Sequence, residues 1–133
     1  DLGLLAEYVL GFSQWQPNPA QGFQGVRDFI ERYQNKYGAL PTYRAARAYA
    51  AMQTLEAATI RAGSFDPEKL RDALSSISVE TVMGPWKVDE TGFMSTEPTI
   101  IQVQEGRRVI IWPPNLAEAK FLPMPKWKDR IKN

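Results

Sequence analysis

The longest helical pattern in the chain lies between Pro41 and Gly63. Eight of the twenty residues from 43 to 62 are alanine, the strongest helix former. Thr42 stands beside Pro41 where it can cap a helix, and Gly63 provides the left-handed residue that ends many helices. The pattern therefore predicts a helix over this stretch. Helical spacing assigns its packing face to Ala45, Ala48, Met52, Leu55 and Thr59, widened by Tyr49.

Two further helices are predicted, one on each side of this stretch. The first has an apolar stripe at helical spacing, which we interpret as core packing, and it ends at Gly38. The stripe consists of Phe23, Val26, Phe29, Ile30 and Tyr33, with Tyr37 one turn further on. The second helix begins at Pro67 behind the N-cap residue Asp66 and runs to about Ser75, where it should pack against its larger neighbour.

Patterns typical of strands occupy both ends of the chain. The apolar segment from Leu4 to Phe12 predicts a buried strand that ends near Gly11, although a short helix up to Leu10 fits the same residues. From Val79 the period changes to two, which predicts extended segments on both sides of residues 84–85 and a turn over 89–92.

The clearest hairpin follows in the last third of the chain. It joins residues 99–104 to residues 107–112 through the turn Glu105-Gly106. The apolar residues of both strands fall on both faces, so at least one face should be covered. In the proline-interrupted tail, short helices are predicted around residues 116–120 and 127–132.

Composition restricts the chemistry that the chain can perform. With 133 residues, 44% of them hydrophobic and 23% charged, it has the size and balance of a globular domain. The net charge of +1 does not favour nucleic acid or an anionic membrane, and we expect the basic tail after residue 106 to be a solvated end. The sequence contains no run of 18 or more apolar residues, so it predicts no membrane span. The chain starts at Asp1 without Met or a signal-like segment, so we expect that it is cut from a longer one.

The chain contains neither cysteine nor histidine. Their absence excludes disulfides and thiolate sites, and it removes the commonest general base and the commonest metal ligand. Phosphate-loop and nucleophile-elbow motifs are missing, and no spacing singles out a catalytic pair of carboxylates. We therefore interpret the chain as a binding module and not an enzyme, and we expect no cofactor and no metal.

Two arginines at the start of the long helix are a candidate anion site. Arg44 and Arg47 lie in its first two turns and on one side, where cations oppose the helix dipole. Two guanidiniums beside helix N–H groups suit a carboxylate, although both side chains could instead reach solvent or pair with nearby acids. Trp15, at the predicted exit of the first strand, fits either the wall or lid of a pocket or a structural plug.

An ordered series of short motifs runs through most of the chain. It comprises residues 29–33 and 36–38, then Pro41, Tyr43, 45–46 and 49–51, then 62–64, 66–68, Leu70, 73–74, 81–85 and 89–92, and finally 123–130. This series resembles the C-terminal third of the leucine/isoleucine/valine-binding family, the extracytoplasmic substrate-binding proteins of ABC importers. The resemblance implies an α/β fold, here a fragment of the two-lobed type I periplasmic-binding-protein fold with helices packed on a partial sheet. It also implies a periplasmic or otherwise extracytoplasmic location.

The resemblance also implies how the chain is divided between lobes. Residues 1–40 would belong to the second lobe, residues 41–95 to the first, and residues 96–133 would return to the second lobe and add the tail. The start of the long helix would face the interlobe cleft, which places Tyr43, Arg44 and Arg47 near the ligand. Glu7 and Tyr8 would face the same cleft at a strand exit, and we add Trp15 to these predicted contacts. The first-lobe groups that the family uses for a ligand carboxylate are not in this sequence.

These implications predict capture of a small carboxylate-bearing solute, with the membrane subunits of an importer as partners of a full-length parent. A ligand-sensing domain of a signalling receptor or regulator with the same fold is the alternative, and an enzyme that uses carboxylates alone is a weaker one. Partial lobes leave sheet edges and apolar faces uncovered. We therefore expect the chain to associate with itself or with the rest of its parent.

Overall fold

A computed structural model describes residues 3–18, 22–94 and 98–130 of the chain. Its elements, in chain order, are a 3-10 turn (Gly3–Ala6), β1 (Leu10–Ser13), α1 (Val26–Tyr37), α2 (Tyr43–Ala62), α3 (Pro67–Ser76), β2 (Val79–Thr81), β3 (Gly84–Trp86), β4 (Thr99–Gln104), β5 (Arg107–Trp112) and α4 (Trp127–Arg130). The mixture of helices and sheets confirms the predicted α/β class. Among the described residues, no helix is long and apolar enough to cross a bilayer.

Contacts divide the chain into two compact units. One contains residues 15–96, and the other combines residues 1–14 with residues 97–133. The first boundary between units therefore falls before residue 15. The resemblance, in contrast, implies a change of lobe after residue 40. The assignment of segments to lobes stays a prediction.

Helix α2 begins and ends at the residues that its sequence predicts. The Thr42 side chain accepts a hydrogen bond from the Ala45 N–H at 3.3 Å, and Gly63 ends the helix with a φ of 59°. The predicted packing face was wrong, however. The buried stripe is Ala46, Ala50, Thr54 and Ala58, whereas Met52, on the opposite face, is 63% exposed. Small side chains four residues apart form a flat surface that the rest of the unit can approach closely.

The core of this unit forms where α1 meets the buried stripe of α2. Val26, Phe29 and Ile30 of α1 are buried, which confirms the predicted apolar stripe over these positions. They pack in one cluster with Trp15, Ala46, Ala50 and Val82. The cluster thus combines three larger side chains of α1 and the Trp15 ring with two alanines of α2.

Phe23 lies outside α1, contrary to the pattern that included it. Gly25 is left-handed, with a φ of 72°, and the helix begins after it. Phe23 instead packs against Gly84, where a Cβ atom would approach the ring to 3.0 Å. Gly84 also has a φ of 99°, so both its conformation and its neighbour require a residue without a side chain.

Helix α3 and the β2–β3 hairpin complete the unit. As predicted, Asp66 caps α3, accepting hydrogen bonds from the Glu68 and Lys69 N–H groups at 3.1 Å, and α3 packs against α2. In the hairpin, the Thr81 hydroxyl donates to the Gly84 carbonyl at 2.8 Å. This bond closes the turn between the two short antiparallel strands.

The turn after β3 is built around Asp89, as the sequence predicts. Its carboxylate accepts hydrogen bonds from the Thr91 hydroxyl at 2.6 Å, the Thr91 N–H at 2.8 Å and the Phe93 N–H at 3.0 Å. The Thr91 hydroxyl is the largest cause of a lowered pKa for Asp89, and the backbone bonds to Phe93 and Thr91 follow. The pKa of Asp89 is lower in the folded chain than in the unfolded chain. The hydrogen bonds therefore stabilise the turn at pH values above the usual pKa of Asp, and this stabilisation is lost as the pH falls through the folded pKa.

We therefore expect Thr91→Val to raise the pKa of Asp89 towards its ordinary value. The hydroxyl bond would be lost while the backbone bonds remain. An NMR titration of the Asp89 carboxyl measures the change. Thr59→Val is the matched control, because the Thr59 hydroxyl donates to the Leu55 carbonyl within α2. An Asp89 pKa that is the same in Thr91→Val and in the parent chain would contradict this explanation.

The second unit is a three-stranded antiparallel sheet with the order β1-β4-β5. The β4–β5 hairpin has the predicted boundaries, and its turn residues Glu105 and Gly106 have φ values of 53° and 72°. Two positive φ values are typical of the tight turns that match strand twist. Ile101 and Ile110, paired across the two strands, are buried.

The predicted buried strand over residues 4–12 was wrong. A 3-10 turn occupies its first half, and β1 is four residues long, with Phe12 80% exposed. Within the described part of the chain, β1 lies at an edge of the sheet and pairs with β4 alone, and its residues 10–12 are exposed.

The tail after β5 folds back along the outer edge of the sheet. The Glu118 carboxylate accepts the Ile110 N–H, and the Glu118 N–H donates to the Ile110 carbonyl. The short helix predicted over 116–120 is therefore wrong, because this segment pairs with β5 instead. The second predicted tail helix forms over Trp127–Arg130, and the remaining predicted residues lie outside the described ones.

Candidate ligand-binding site

The predicted contacts of α2 lie in its first turns. Arg44 and Arg47 are exposed, Tyr43 is half-buried against the core of its unit, and no acidic residue occurs in the first turn. Within the described residues, neither guanidinium makes a salt bridge. The sequence left two alternatives to ligand binding, in which both arginine side chains either reach solvent or pair with nearby acids. The structure favours the first of these and disfavours the second.

Tyr43 and Arg47 are brought together by a direct contact. A guanidinium nitrogen of Arg47 donates to the Tyr43 hydroxyl at 3.0 Å. Because Tyr43 is also packed against the core, this hydrogen bond directs the exposed Arg47 side chain towards the helix start. Arg44, one residue from Tyr43, reaches out from the same turn. This end of α2 therefore carries two positive charges beside the positive end of the helix dipole.

Glu7 and Tyr8 lie in the other unit, where they support the β4–β5 hairpin. The Glu7 carboxylate accepts the Glu105 N–H at 2.9 Å and the Gly106 N–H at 2.5 Å, so both oxygens bind the turn. Tyr8 has a φ of 66°, which is uncommon for a residue with a side chain. Its N–H donates to the Val103 carbonyl at 2.8 Å, which keeps it in this conformation.

Trp15 is part of the core and not of a pocket wall. Its side chain is 1% exposed, and its indole N–H donates to the Val82 carbonyl at 2.9 Å. The ring also packs edge-on against Phe29, with 6.1 Å between centroids. The position corrects its prediction as a ligand contact and favours the structural alternative, because a buried and hydrogen-bonded indole presents no free surface to a solute.

The residues that hold Trp15 and Glu7 were not recognised from the sequence. Val82 follows Trp15 by 67 residues. Glu105 and Gly106, which Glu7 binds, follow Glu7 by 98 and 99 residues. No local motif connects positions so far apart.

Among the described residues, no group of three or more acids could hold a metal ion.

Comparison with known proteins identifies the family. A family model described as periplasmic binding protein matches residues 1–108, which is most of the chain. The chain therefore belongs to the periplasmic-binding-protein family. The match confirms the predicted resemblance and the type I fold fragment.

Solved structures agree with this family. A leucine-binding protein from Thermotoga maritima is 28% identical, with a TM-score of 0.66, over 81% of this chain and 31% of its own length. An ABC transporter substrate-binding protein from Desulfitobacterium hafniense, in complex with leucine, is 29% identical, with a TM-score of 0.68, over 79% of this chain and 31% of its own. A solute-binding protein from R. palustris, in complex with benzoate, shares the fold at 16% identity, with a TM-score of 0.70, over 82% and 30%. The chain thus spans about a third of the length of these relatives.

Proposed function

We propose that the chain is part of an extracytoplasmic solute-binding protein of an ABC importer, and that α2 presents its amino end to a small carboxylate-bearing solute. Branched-chain or other amino acids and aromatic acids are the expected solutes. Capture is non-covalent: two lobes close on the solute, and a few polar groups orient it. The membrane subunits of the importer are the expected partners of the full-length parent.

The observation that carries this proposal is the exposed positive charge at the start of α2. Arg44 and Arg47 oppose the helix dipole, at a cost of about 0.3–1 kcal/mol each for exposed charges. Acidic partners that would offset this cost are absent from the first turn, and within the described residues neither arginine has a salt bridge. A bound carboxylate would reverse the balance, because it would meet two guanidiniums and the positive helix end together.

The relatives support the solute class. Leucine and benzoate, the ligands named for two of them, are both carboxylates, although one body is aliphatic and the other aromatic. A site that reads the carboxylate through arginines and a helix end accommodates both bodies. Tyr43 fits such a role, because it places an aromatic ring beside the cations and its hydroxyl accepts a hydrogen bond from Arg47. Tyr8 stays a predicted contact.

Glu7 has a smaller part in this proposal than the resemblance gave it. Both of its carboxylate oxygens accept hydrogen bonds from the β4–β5 turn, so a solute would compete with two backbone N–H groups for them. We propose that Glu7 positions the segment before β1. The expected association of the chain with itself or with the rest of its parent remains part of the proposal.

A thermal-shift screen of the full-length parent tests the solute class. We expect leucine or benzoate to raise the melting temperature, since a ligand at about 100 times its dissociation constant stabilises by about 2.7 kcal/mol. The matched controls are leucinamide and benzamide, which keep the body and lose the carboxylate. Equal shifts from the acid and its amide would contradict carboxylate recognition, and no shift from any acid would contradict the solute class.

A further inference from the structure

Two glutamines of β4 fasten the carboxyl-terminal tail to the sheet. Gln102 and Gln104 are two residues apart in the strand, so their side chains lie on the same face of it. The Gln104 amide donates to the Lys120 carbonyl at 2.8 Å, and the Gln102 amide donates to the Leu122 carbonyl at 2.8 Å. Alternate residues of the tail are thus bound by alternate residues of the strand.

Gln102 is the centre of this arrangement, because every hydrogen-bonding position of its side chain is used. Besides the Leu122 carbonyl, its amide nitrogen donates to the Tyr8 carbonyl at 3.1 Å. Its oxygen accepts the Leu122 N–H at 3.0 Å and the Gln104 amide at 2.8 Å. These bonds use both donors and both acceptor positions of the amide. Since the side chain is 0% exposed, a shift of any one partner would leave a buried polar group unpaired.

Tyr8 has a backbone conformation that needs such support. Its φ of 66° lies in the left-handed region, which is unfavourable for a residue with a side chain and persists only where the surroundings impose it. Two consecutive residues of β4 impose it here. The Val103 carbonyl accepts the Tyr8 N–H at 2.8 Å, and Gln102 donates to the Tyr8 carbonyl. One of the two polar backbone groups of Tyr8 is therefore held by the side chain that also binds the tail.

Glu7 extends these contacts to the β4–β5 turn. Its carboxylate accepts the N–H groups of Glu105 and Gly106, and Glu7 directly precedes Tyr8 in the chain. The place of this carboxylate therefore depends on the conformation of the Tyr8 backbone. A continuous series of contacts leads from the tail through the Gln102 amide, Tyr8 and Glu7 to the turn.

We propose that residues 118–122 are a strap that, through the Gln102 amide, keeps Tyr8 left-handed and the β4–β5 turn in place. Glu118 fixes the beginning of the strap at the edge of β5, where it exchanges hydrogen bonds with Ile110. The two glutamines of β4 fix its end. The tail thereby sets the conformation of a segment near the other end of the sequence. This role does not depend on the solute or on the proposed function.

Amide hydrogen exchange of the chain, followed by NMR, tests the strap. Gln104→Leu removes the bonds from Gln104 to Lys120 and to the Gln102 oxygen, and neither of these bonds involves Tyr8. We expect the Tyr8 amide proton to exchange at least about threefold faster, because the Gln102 amide loses its support.

Thr99→Val is the matched control. It also removes a hydrogen bond from one side chain of β4, but this bond joins the Thr99 hydroxyl to the Ser13 carbonyl at the opposite end of the β1–β4 pair. It should leave the Tyr8 rate unchanged. The amide protons of the β4–β5 ladder are the internal reference, because a general opening of the sheet would accelerate them as well. Equal acceleration of the Tyr8 and ladder protons in Gln104→Leu would overturn the proposal.

A chain that ends at residue 117 removes the strap itself. The amide protons of Tyr8, Glu105 and Gly106 should then exchange faster, and adding Gln104→Leu should not accelerate Tyr8 further, because both changes interrupt the same series of contacts. An unchanged Tyr8 rate in Gln104→Leu, an equal effect of Thr99→Val, or additive effects of the two changes would each show that the tail does not hold Tyr8. If the shortened chain does not fold, the comparison of Gln104→Leu with Thr99→Val decides alone.

Discussion

Trp15→Ala is expected to lower the free energy of unfolding of the chain by about 3–5 kcal/mol. Trp15 is the largest fully buried side chain among the described residues, and it fills the junction of α1, the buried stripe of α2 and Val82. Its truncation leaves a cavity between Phe29 and Val82 and removes the donor that satisfies the Val82 carbonyl. Urea unfolding followed by circular dichroism measures the loss.

One further variant separates the lost hydrogen bond from the lost packing, and another is a control at an exposed position. Trp15→Phe keeps a ring in the core but removes the indole N–H, so we expect a smaller loss than for alanine. Phe65→Ala removes an aromatic ring that is 83% exposed and should change stability by less than about 0.5 kcal/mol. If Trp15→Ala and Phe65→Ala lost the same amount, Trp15 would not be the core residue described here.

Gln102→Leu is expected to destabilise the sheet unit by about 2 kcal/mol or more. The Gln102 side chain is fully buried, and its amide donates to the carbonyls of Tyr8 and Leu122 at 3.1 and 2.8 Å. Its oxygen accepts the Leu122 N–H at 3.0 Å and the Gln104 amide at 2.8 Å. Leucine has a similar size but leaves these backbone groups without their partner.

Hydrogen exchange identifies where this loss occurs. The Leu122 amide proton should exchange faster in Gln102→Leu, because its acceptor is removed, while the hydrogen-bonded amides of α2 should keep their rates. Gln34→Leu, at an exposed position of α1, is the matched control and should change stability by less than about 0.5 kcal/mol. Unchanged exchange at Leu122 would show that Gln102 does not hold the tail.

The features that the sequence predicted correctly are set by neighbouring residues. Thr42 and Gly63 mark the ends of α2, Asp66 marks the start of α3, and Glu105-Gly106 is sufficient for the β4–β5 turn. Each signal acts within four residues of the backbone that it shapes. Such features need no knowledge of the remaining chain.

The features that were predicted wrongly depend on what packs against them. Helix α2 is apolar on both faces, and periodicity alone selected the face with larger side chains, although the small-residue stripe is the buried one. The segment 4–12 is apolar enough for a buried strand, but β1 is a short edge strand. Residues 116–120 can form a helix locally, yet Glu118 pairs with Ile110 of β5 instead.

The same distinction between local and distant determinants applies to the residues of the candidate site. The positions of Arg44 and Arg47 in the first two turns of α2 follow from the helix start alone, and the helix begins at Tyr43 as the sequence predicts. Their contact with a ligand stays a prediction. The Tyr43–Arg47 hydrogen bond spans one turn and is compatible with the same pattern. Trp15 and Glu7 were candidates because of their type and place in the chain, but distant residues determine what they contact.

Calorimetry on the full-length parent with Arg44→Ala tests most directly the claim that the start of α2 holds a carboxylate. The matched control is Arg61→Ala, which removes an exposed arginine from the last turn of the same helix. With leucine or benzoate, whichever the parent binds more tightly, we expect Arg44→Ala to weaken binding at least about tenfold, or about 1.4 kcal/mol, and Arg61→Ala to leave it unchanged. Equal affinities for the two variants would contradict the account.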